Sequence, residues 1–538
     1  MSSAFFNKSK NIANDFIQSI VFLDDRAYTR DNHHGQGNIN DLHAPEISKI
    51  FAREEKICAV YDPETLNDIS DFKQIATKSD IIILDWFIDI REEIEGGDEE
   101  DDAEEDDVRG KYTLDIISSL IDPDNYDRLK IILVYTGEID LVDISEKIRD
   151  LNPALSLDTD VLRLQIGKTI IFVRAKSNNQ EGIDNRFAHL PSLNDKVLKY
   201  RDLPGFLLEE FTKITSGLLT NFALLSITSL RNNTSKVLGL FSNDLDPAYL
   251  GHKSLIPKQE DAEDLLIELF GDSIKDLLYY SGINIKLGKD INDWIDSNVI
   301  AEKFEHNNKK YDKDLVAIKG LLSSKEEDAK KRFSSLLTGA HGEVKNHLLD
   351  NPTKIFTNNS NLKNVENQNK NFAKLTHHKS LFIPKEIEPK LTLGSLIKST
   401  KGDKYYICIQ QKCDSVRISK GTERKFLFLP LSVVSDGNKG KFDLITNSDI
   451  ELRKDKNSYS IRTIKFCSNN DLGIIKAVKN EQGKYIFKQK YTEATDEQFE
   501  WILDLKDLHA QRIVIDYTNS LSRVGLDESE WLRKAGTK

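Results

Sequence analysis

The sequence predicts an α/β fold in its N-terminal part, a doubly wound parallel sheet, followed by an α-helical region and a small C-terminal mixed β/α domain. Three features predict the sheet. Apolar runs of strand length alternate with stretches of helical periodicity from Ile17 to Val173, the runs are continuous as in strands covered on both faces, and several stop on an acid or a hydroxyl. The clearest is Ser79–Asp89, SDIIILDWFID, where Ile81, Ile82, Ile83 and Leu84 lie between charges and end on Asp85. An acid there lies at the carboxyl edge of the sheet, where open α/β folds bind ligands and do chemistry.

The elements follow in order. Ile17–Leu23 is a first strand that delivers Asp24 and Asp25 to its end. Arg26–Leu42 is a polar loop, and Ala44–Glu55 carries Ile47, Ile50 and Phe51 at helical spacing. Lys56–Tyr61 is a second strand, stopped by Asp62-Pro63, and Glu64–Thr77 a second helix. Beyond Asp85 a helix spans Tyr112–Ile121, with Leu114, Ile117, Leu120 and Ile121 on one face. Leu129–Tyr135 is a fourth strand ending on Thr136-Gly137, Leu141–Leu151 another helix, and Thr169–Val173 a fifth strand closely followed by Lys176.

Between the third strand and the next helix the chain carries Glu92, Glu93, Glu95, Asp98, Glu99, Glu100, Asp101, Asp102, Glu104, Glu105, Asp106 and Asp107. These twelve acids account for all but one unit of the net charge of -13. The rest of the chain is nearly neutral, which argues against a general nucleic-acid binder, since phosphate contacts need a clustered cationic surface. Such an acidic run is a solvated block, or a screen that rejects wrong partners and recruits a basic one. No run approaches the ~18 apolar residues of a membrane span, and MSSAFFNKSKNIANDF has no signal-peptide core, so a cytoplasmic protein is expected. Cys58, Cys408, Cys413 and Cys467 lack the spacing of a zinc site or disulfide framework and read as reduced thiols.

One sheet edge thus collects Asp24, Asp25, Asp85, Thr136 and Lys176. Clustered carboxylates call for a cation, and hard oxygen ligands with open positions suit Mg²⁺, held by Asp24, Asp25 and Asp85. The metal lets a phosphoryl group approach Asp85, Lys176 neutralises the added charge, and Thr136 donates to a phosphoryl oxygen. The competing reading makes Asp24 and Asp25 turn caps and Asp85 an ordinary strand-end acid. The constellation resembles the receiver domain of two-component response regulators, a flavodoxin-like fold. That resemblance implies an acidic pair after the first strand, a phospho-accepting Asp after the third, a Ser/Thr after the fourth and a Lys after the fifth. The spacings depart from a minimal receiver: Asp25 to Asp85 is 60 positions, Asp85 to Thr136 is 51 and Thr136 to Lys176 is 40. Ser177 stands where a Pro commonly follows the receiver Lys, leaving Arg174 and Lys168 as competitors for the role of Lys176.

Downstream, Leu203–Leu230 is the most strongly patterned helical stretch, with Phe206, Leu207, Phe211, Ile214, Leu218, Leu219, Phe222 and Leu225 at three- and four-residue steps. Arg231–Phe241, the phrase Leu245–His252 and a helix Asp261–Phe270 follow, then polar helices in Gly282–Asn307 and Asp312–Leu349. His252 reads as a packed or capping residue. The order GLLTNFALLSITSLRNNTSKVLGLFSNDLDPAYLGH after IILVYTGE, and later YYICIQQKCDSVRI, resembles large response-receiver proteins of bacterial conflict (phage-defence) loci. The resemblance implies a partner with a histidine-kinase-like (GHKL) ATPase domain encoded nearby.

The Asn-rich Thr357–Asn371 reads as a loop or exposed connector ahead of a domain boundary. Short strands are expected at Leu391–Ile397, Lys404–Gln410, Lys425–Leu431, Ile461–Phe466, Leu472–Val478 and Tyr485–Gln489. Helix returns from Thr495, with Phe499, Ile502, Leu503, Leu505 and Leu508 on one face and a last helix around Asp527 and Trp531. Cys413 is either a nucleophile anchored by Asp414 and Arg417 or a structural thiol beside an Asp414–Arg417 turn pair, and no base is identifiable for the first. The expected domains are 1–195, receiver-like with the acidic insertion 92–107, then 196–380, helical, and 381–538, mixed β ending in helices.

Two functions fit. One is a regulator that takes phosphoryl on Asp85 from the partner ATPase. The other is a phosphorylation-independent adaptor that assembles an ATPase or effector, with a homodimer through the helical region as a further option. A hydrolase or nuclease finds no triad, HExxH, P-loop or metal-ligand spacing.

Overall fold

The computed structural model describes residues 3–28, 42–90, 109–122, 128–177, 179–181, 184, 186, 191–256, 261–299, 303–306, 309–312, 314–336, 351–379, 388–402, 404–435, 442–455, 460–489 and 497–521. The acidic run and the stretch around Asp527 and Trp531 lie outside them. The chain forms two compact units, Met1–Ile300 and Ala301–Lys538.

In the first unit, strands β1 (Ser19–Leu23), β2 (Ile57–Tyr61), β3 (Ile81–Leu84), β4 (Lys130–Thr136) and β7 (Thr169–Lys176) form a parallel sheet in the order β2-β1-β3-β4-β7. This is the flavodoxin-like order of a doubly wound sheet. β3 is buried along its whole length because both faces are covered. Ile82 and Leu84 join a core with helices α3 (Leu66–Lys78), α4 (Lys111–Leu120) and α5 (Leu141–Arg149). Ile81 and Ile83 face α1 (Ala4–Phe16), α2 (Ala44–Arg53) and α7 (Leu203–Thr215).

The far edge of β7 is protected in two parts. An antiparallel hairpin, β5 (Ser156–Asp158) and β6 (Arg163–Ile166), pairs with its first half. After the short helix α6 (Pro191–Asn194), β8 (Val197–Leu198) pairs with Ala175 and Lys176. Neither was expected, and nor was α1, whose signal is the cap Ser3, accepting from the Phe6 N–H, with Phe5, Ser9 and Ala13 four residues apart on the buried face.

The apolar stretch Leu203–Leu230 is two helices, α7 and α8 (Leu218–Gly239), broken at Ser216-Gly217, where Gly217 is extended. α7 supplies the face that the pattern demanded, with Leu203, Leu207 and Phe211 against the sheet. α8 packs on α1, and its Arg231 grips Asp80, just before β3, at 2.9 and 3.2 Å while lying over the Phe16 ring. Helices α9 (Asp246–Leu255), α10 (Asp261–Tyr280) and α11 (Ile283–Asn298) complete the unit, with His252 exposed on α9.

The second unit departs more from expectation. Lys303–His306 and Lys309–Asp312 pair as an antiparallel hairpin, so the helix expected to Asn307 stops at Asn298. The Asn-rich stretch is not a loop: 3-10 turns at Pro352–Phe356 and Asn359–Asn364 lead into a helix, Val365–His377. Asn369 is tied to the preceding turn, accepting from Thr353 and donating to Asn351, and Val365 is buried, as is Ile355 in that turn, while Asn364, Asn367 and Asn371 are exposed. Among the described residues the C-terminal sheet has nine strands. Five expected strands recur, at Ser395–Ser399, Tyr405–Cys408, Glu423–Val433, Arg462–Cys467 and Tyr485–Lys488, whereas Leu472–Val478 contributes only Val478–Lys479. Gln498–Asp504 is a strand rather than helix, pairing with Ser395–Ser399 and Tyr485–Lys488; the final described helix is Asp507–Leu521. Phe499 and Leu503 do sit at helical spacing, but they point into opposite cores of the sheet.

Candidate functional site

The carboxyl ends of β1, β3 and β7 bring Asp24, Asp25, Asp85 and Lys176 together. The placement follows from the ladder: Leu23 pairs with Leu84 and Leu84 with Val134, so the residues that follow emerge side by side. Lys176 is the last residue of β7, and its Nζ donates to Asp24 Oδ2 at 2.5 Å and to Asp85 Oδ2 at 2.9 Å. The competitors lie elsewhere. Arg174 donates to the Val161 and Val173 carbonyls and stacks over Phe172 and Phe206, and Lys168 is exposed in the β6–β7 turn.

Each acid is further oriented. Asp24 Oδ1 accepts from the Arg26 N–H at 3.0 Å, closing the turn after β1. Asp85 Oδ1 accepts from the Trp86 N–H at 2.8 Å. Asp25 Oδ2 accepts from the Asp89 N–H at 3.2 Å, whereas its Oδ1 is buried with no hydrogen-bond partner. Oxygens of the three carboxylates lie within 4.8 Å of one another. Thr136 is buried at the end of β4, where its hydroxyl oxygen accepts from the Glu138 N–H at 3.1 Å and its proton remains available.

Two buried carboxylates and the half-buried Asp25 around one ammonium leave an excess of negative charge, and the titrations respond accordingly. Burial pushes Asp85 up to about 7, against the attraction of Lys176 and with help from Asp24. Burial likewise raises Asp25 to about 6. For Lys176 burial acts downward, but Asp85 and Asp24 outweigh it and hold the ammonium above its ordinary value. An orphaned carboxylate oxygen inside an acidic cluster fits a small hard cation.

The loop after β3 is held by residues that spacing did not single out. Thr113, in the first turn of α4, donates its hydroxyl to the Asp85 carbonyl at 2.6 Å. Gly110, at φ +86°, lies so close to the Trp86 ring that an added Cβ would sit 2.2 Å from it. Gly110→Ala should therefore destabilise the first unit by roughly 2–4 kcal/mol through overpacking and left-handed strain, read as a lower urea midpoint. The glycine ahead of a helical pattern was a signal for Gly110; Thr113 had none.

Residues 16–180 match the family model described as a response receiver domain. The N-terminal part of the chain is therefore similar to receiver domains in sequence as well as in strand order. No curated protein and no solved structure matches the chain. Among the described residues no helix is long and apolar enough to cross a membrane.

In the second unit, Cys413 is exposed in a 3-10 turn, Asp414 accepts from Gln410 at 3.0 Å, and Arg417 adopts φ 61°. Cys408 is buried, and burial pushes its thiol up to about 12, so it is a packing residue.

Proposed function

We propose that this protein is a receiver-type regulator that accepts a phosphoryl group on Asp85 from a partner histidine-kinase-like ATPase. The observation that supports it best is Lys176 bridging Asp24 and Asp85 beside the unpartnered Oδ1 of Asp25. Asp24, Asp25 and Asp85 would hold Mg²⁺, which when bound offsets the acidic cluster and screens an incoming phosphate. The chain's own groups do the rest. A carboxylate oxygen of Asp85 attacks phosphorus, the donor's N–P or O–P bond breaks, and the leaving group takes a proton from solvent where it needs one. The acyl phosphate that results adds negative charge beside Lys176, and Thr136 has a hydroxyl proton to donate to it. On this reading the regulator acts in a bacterial anti-phage system in the cytoplasm, a role supported by the resemblance of residues 217–252 and 405–418 to proteins of conflict loci. The helical part would then meet the partner or a second copy.

Incubation with acetyl phosphate and Mg²⁺, or with the neighbouring kinase, should add one acid-labile phosphoryl group by mass, and Asp85→Asn should add none. An absence of phosphoryl on the parent under every donor removes this reading.

The adaptor reading is favoured by one observation. Asp85 is 4% exposed, with both its oxygens already engaged by Trp86 and Lys176. On that reading Asp85→Asn leaves partner assembly and activity intact, while charges introduced on the Leu203–Leu230 face abolish both.

A further inference from the structure

The β4–β7 ladder ends at the pair Thr136 and Ala175. Past it, the guanidinium of Arg186 continues the connection. Its Nη1 donates to the Gly137 carbonyl at 2.9 Å, and its Nη2 donates to the Lys176 carbonyl. On its other side Nε and Nη2 face Asp184, with Nη2 to Oδ2 at 2.8 Å and Nε to the two oxygens at 3.1 and 3.2 Å. The Asp184 side chain is 4% exposed and that of Arg186 is 16% exposed. The Arg186 N–H also bonds Asp184 Oδ1, which fixes the pair within its own turn.

A desolvated ion pair of this kind is weak evidence for stability in itself, so its location matters more than its presence. The two carbonyls it joins belong to Lys176 and to the residue after Thr136. The side chains of Lys176 and of Thr136, the neighbour of Gly137, must reach one phosphoryl group together, and a small drift in either spoils the shared geometry. Resting on the receiver reading above, we propose that Arg186 and Asp184 form a positioning pair that fixes the spacing of Thr136 and Lys176 around a phosphoryl group on Asp85. Among the described residues no hydrogen bond joins the pair to the metal-binding oxygens or to the nucleophile. Its effect falls on the occupied phosphoryl site alone. A planar fork is required: lysine at 186 holds one carbonyl as a point charge and cannot grip Asp184 in parallel.

The test uses the full chain and two titrations followed by tryptophan fluorescence, for which Trp86 beside Asp85 is the reporter. The first is with Mg²⁺ alone, the second with beryllofluoride in saturating Mg²⁺. Arg186→Lys and Asp184→Asn are expected to bind Mg²⁺ within about twofold of the parent and beryllofluoride at least about tenfold more weakly. The isosteric Asp184→Asn covers the case in which the arginine variant folds poorly. Beryllofluoride binding within about twofold of the parent in both variants overturns the proposal, as does an equal loss for Mg²⁺ and beryllofluoride, which marks a purely structural pair. A parent that binds Mg²⁺ but no beryllofluoride instead overturns the phosphoryl reading, and this role with it.

Discussion

Lys176→Met is expected to destabilise the protein by roughly 3–5 kcal/mol in the absence of divalent cations, as removal of one partner from a buried ion pair does. Methionine keeps most of the side-chain volume, so a lost contact surface is not the cause. What is lost is the ammonium 2.5 Å from Asp24 and 2.9 Å from Asp85. Asp24 and Asp85 are almost entirely enclosed, so water cannot take its place. The same logic gives a double-mutant cycle. Asp85→Asn alone removes one of three crowded carboxylates and should stabilise the protein, and in the Lys176→Met background it should recover part of the loss. Urea unfolding of the four proteins at pH 7.5 in EDTA measures the coupling. A Lys176→Met variant within about 1 kcal/mol of the parent shows that the lysine does not balance the acids.

The parts of the fold legible in the sequence are those where one physical constraint dominates. β1, β3 and β4 are enclosed on both faces, so they read as unbroken apolar runs, and their ends locate the acids and Thr136 without further help. Lys176 had Arg174 and Lys168 as competitors because Ser177 stands where a Pro commonly follows the receiver Lys; β7, expected to stop at Val173, continues three residues and carries Lys176 to the edge. Arg186 was not legible, because the groups that tie it to the site are the backbone carbonyls of Gly137 and Lys176, which leave no pattern in side-chain type. The second unit misled for another reason. In Gln498–Asp504 the apolar residues fall at helical spacing, and pairing with Ser395–Ser399 on one side and Tyr485–Lys488 on the other makes the segment a strand, with a register shift that sends Phe499 and Leu503 into opposite cores. The asparagines of 357–371 suggested an exposed loop; Asn364, Asn367 and Asn371 are indeed exposed, but the segment is helical from Val365, with Asn369 tied to Thr353 and Asn351.

Mg²⁺ affinity should rise with pH, and stability without metal should respond in the opposite sense. Asp85 is raised to about 7 and Asp25 to about 6, both far above the ordinary aspartate value near 3.9 that they keep in the unfolded chain. Between about pH 4 and pH 7 the folded state therefore holds protons that the unfolded state has released, so these two groups lose stability as pH rises. The loss is complete above about pH 7, and it is absent below the unfolded value, where both states are protonated. In the second unit His377 has the reverse sign: burial and the stacked His509 lower it to about 4, so its contribution grows as pH rises toward 6.5. Comparison with Asp85→Asn cancels that background, and in EDTA the stability of the parent relative to the variant should fall between pH 5 and 7.5. Saturating Mg²⁺ should flatten the difference, because the ion takes the place of the protons. Between about pH 6 and pH 7 each bound ion must displace the Asp85 proton, so affinity should weaken about tenfold per pH unit; below pH 6 the Asp25 proton must leave as well and the slope steepens to about a hundredfold per unit, while above pH 7 affinity levels off. Titrations at pH 5.5, 6.5 and 7.5 decide the matter: equal Mg²⁺ affinity at the two extremes means that Asp25 and Asp85 are not the groups that hold the ion.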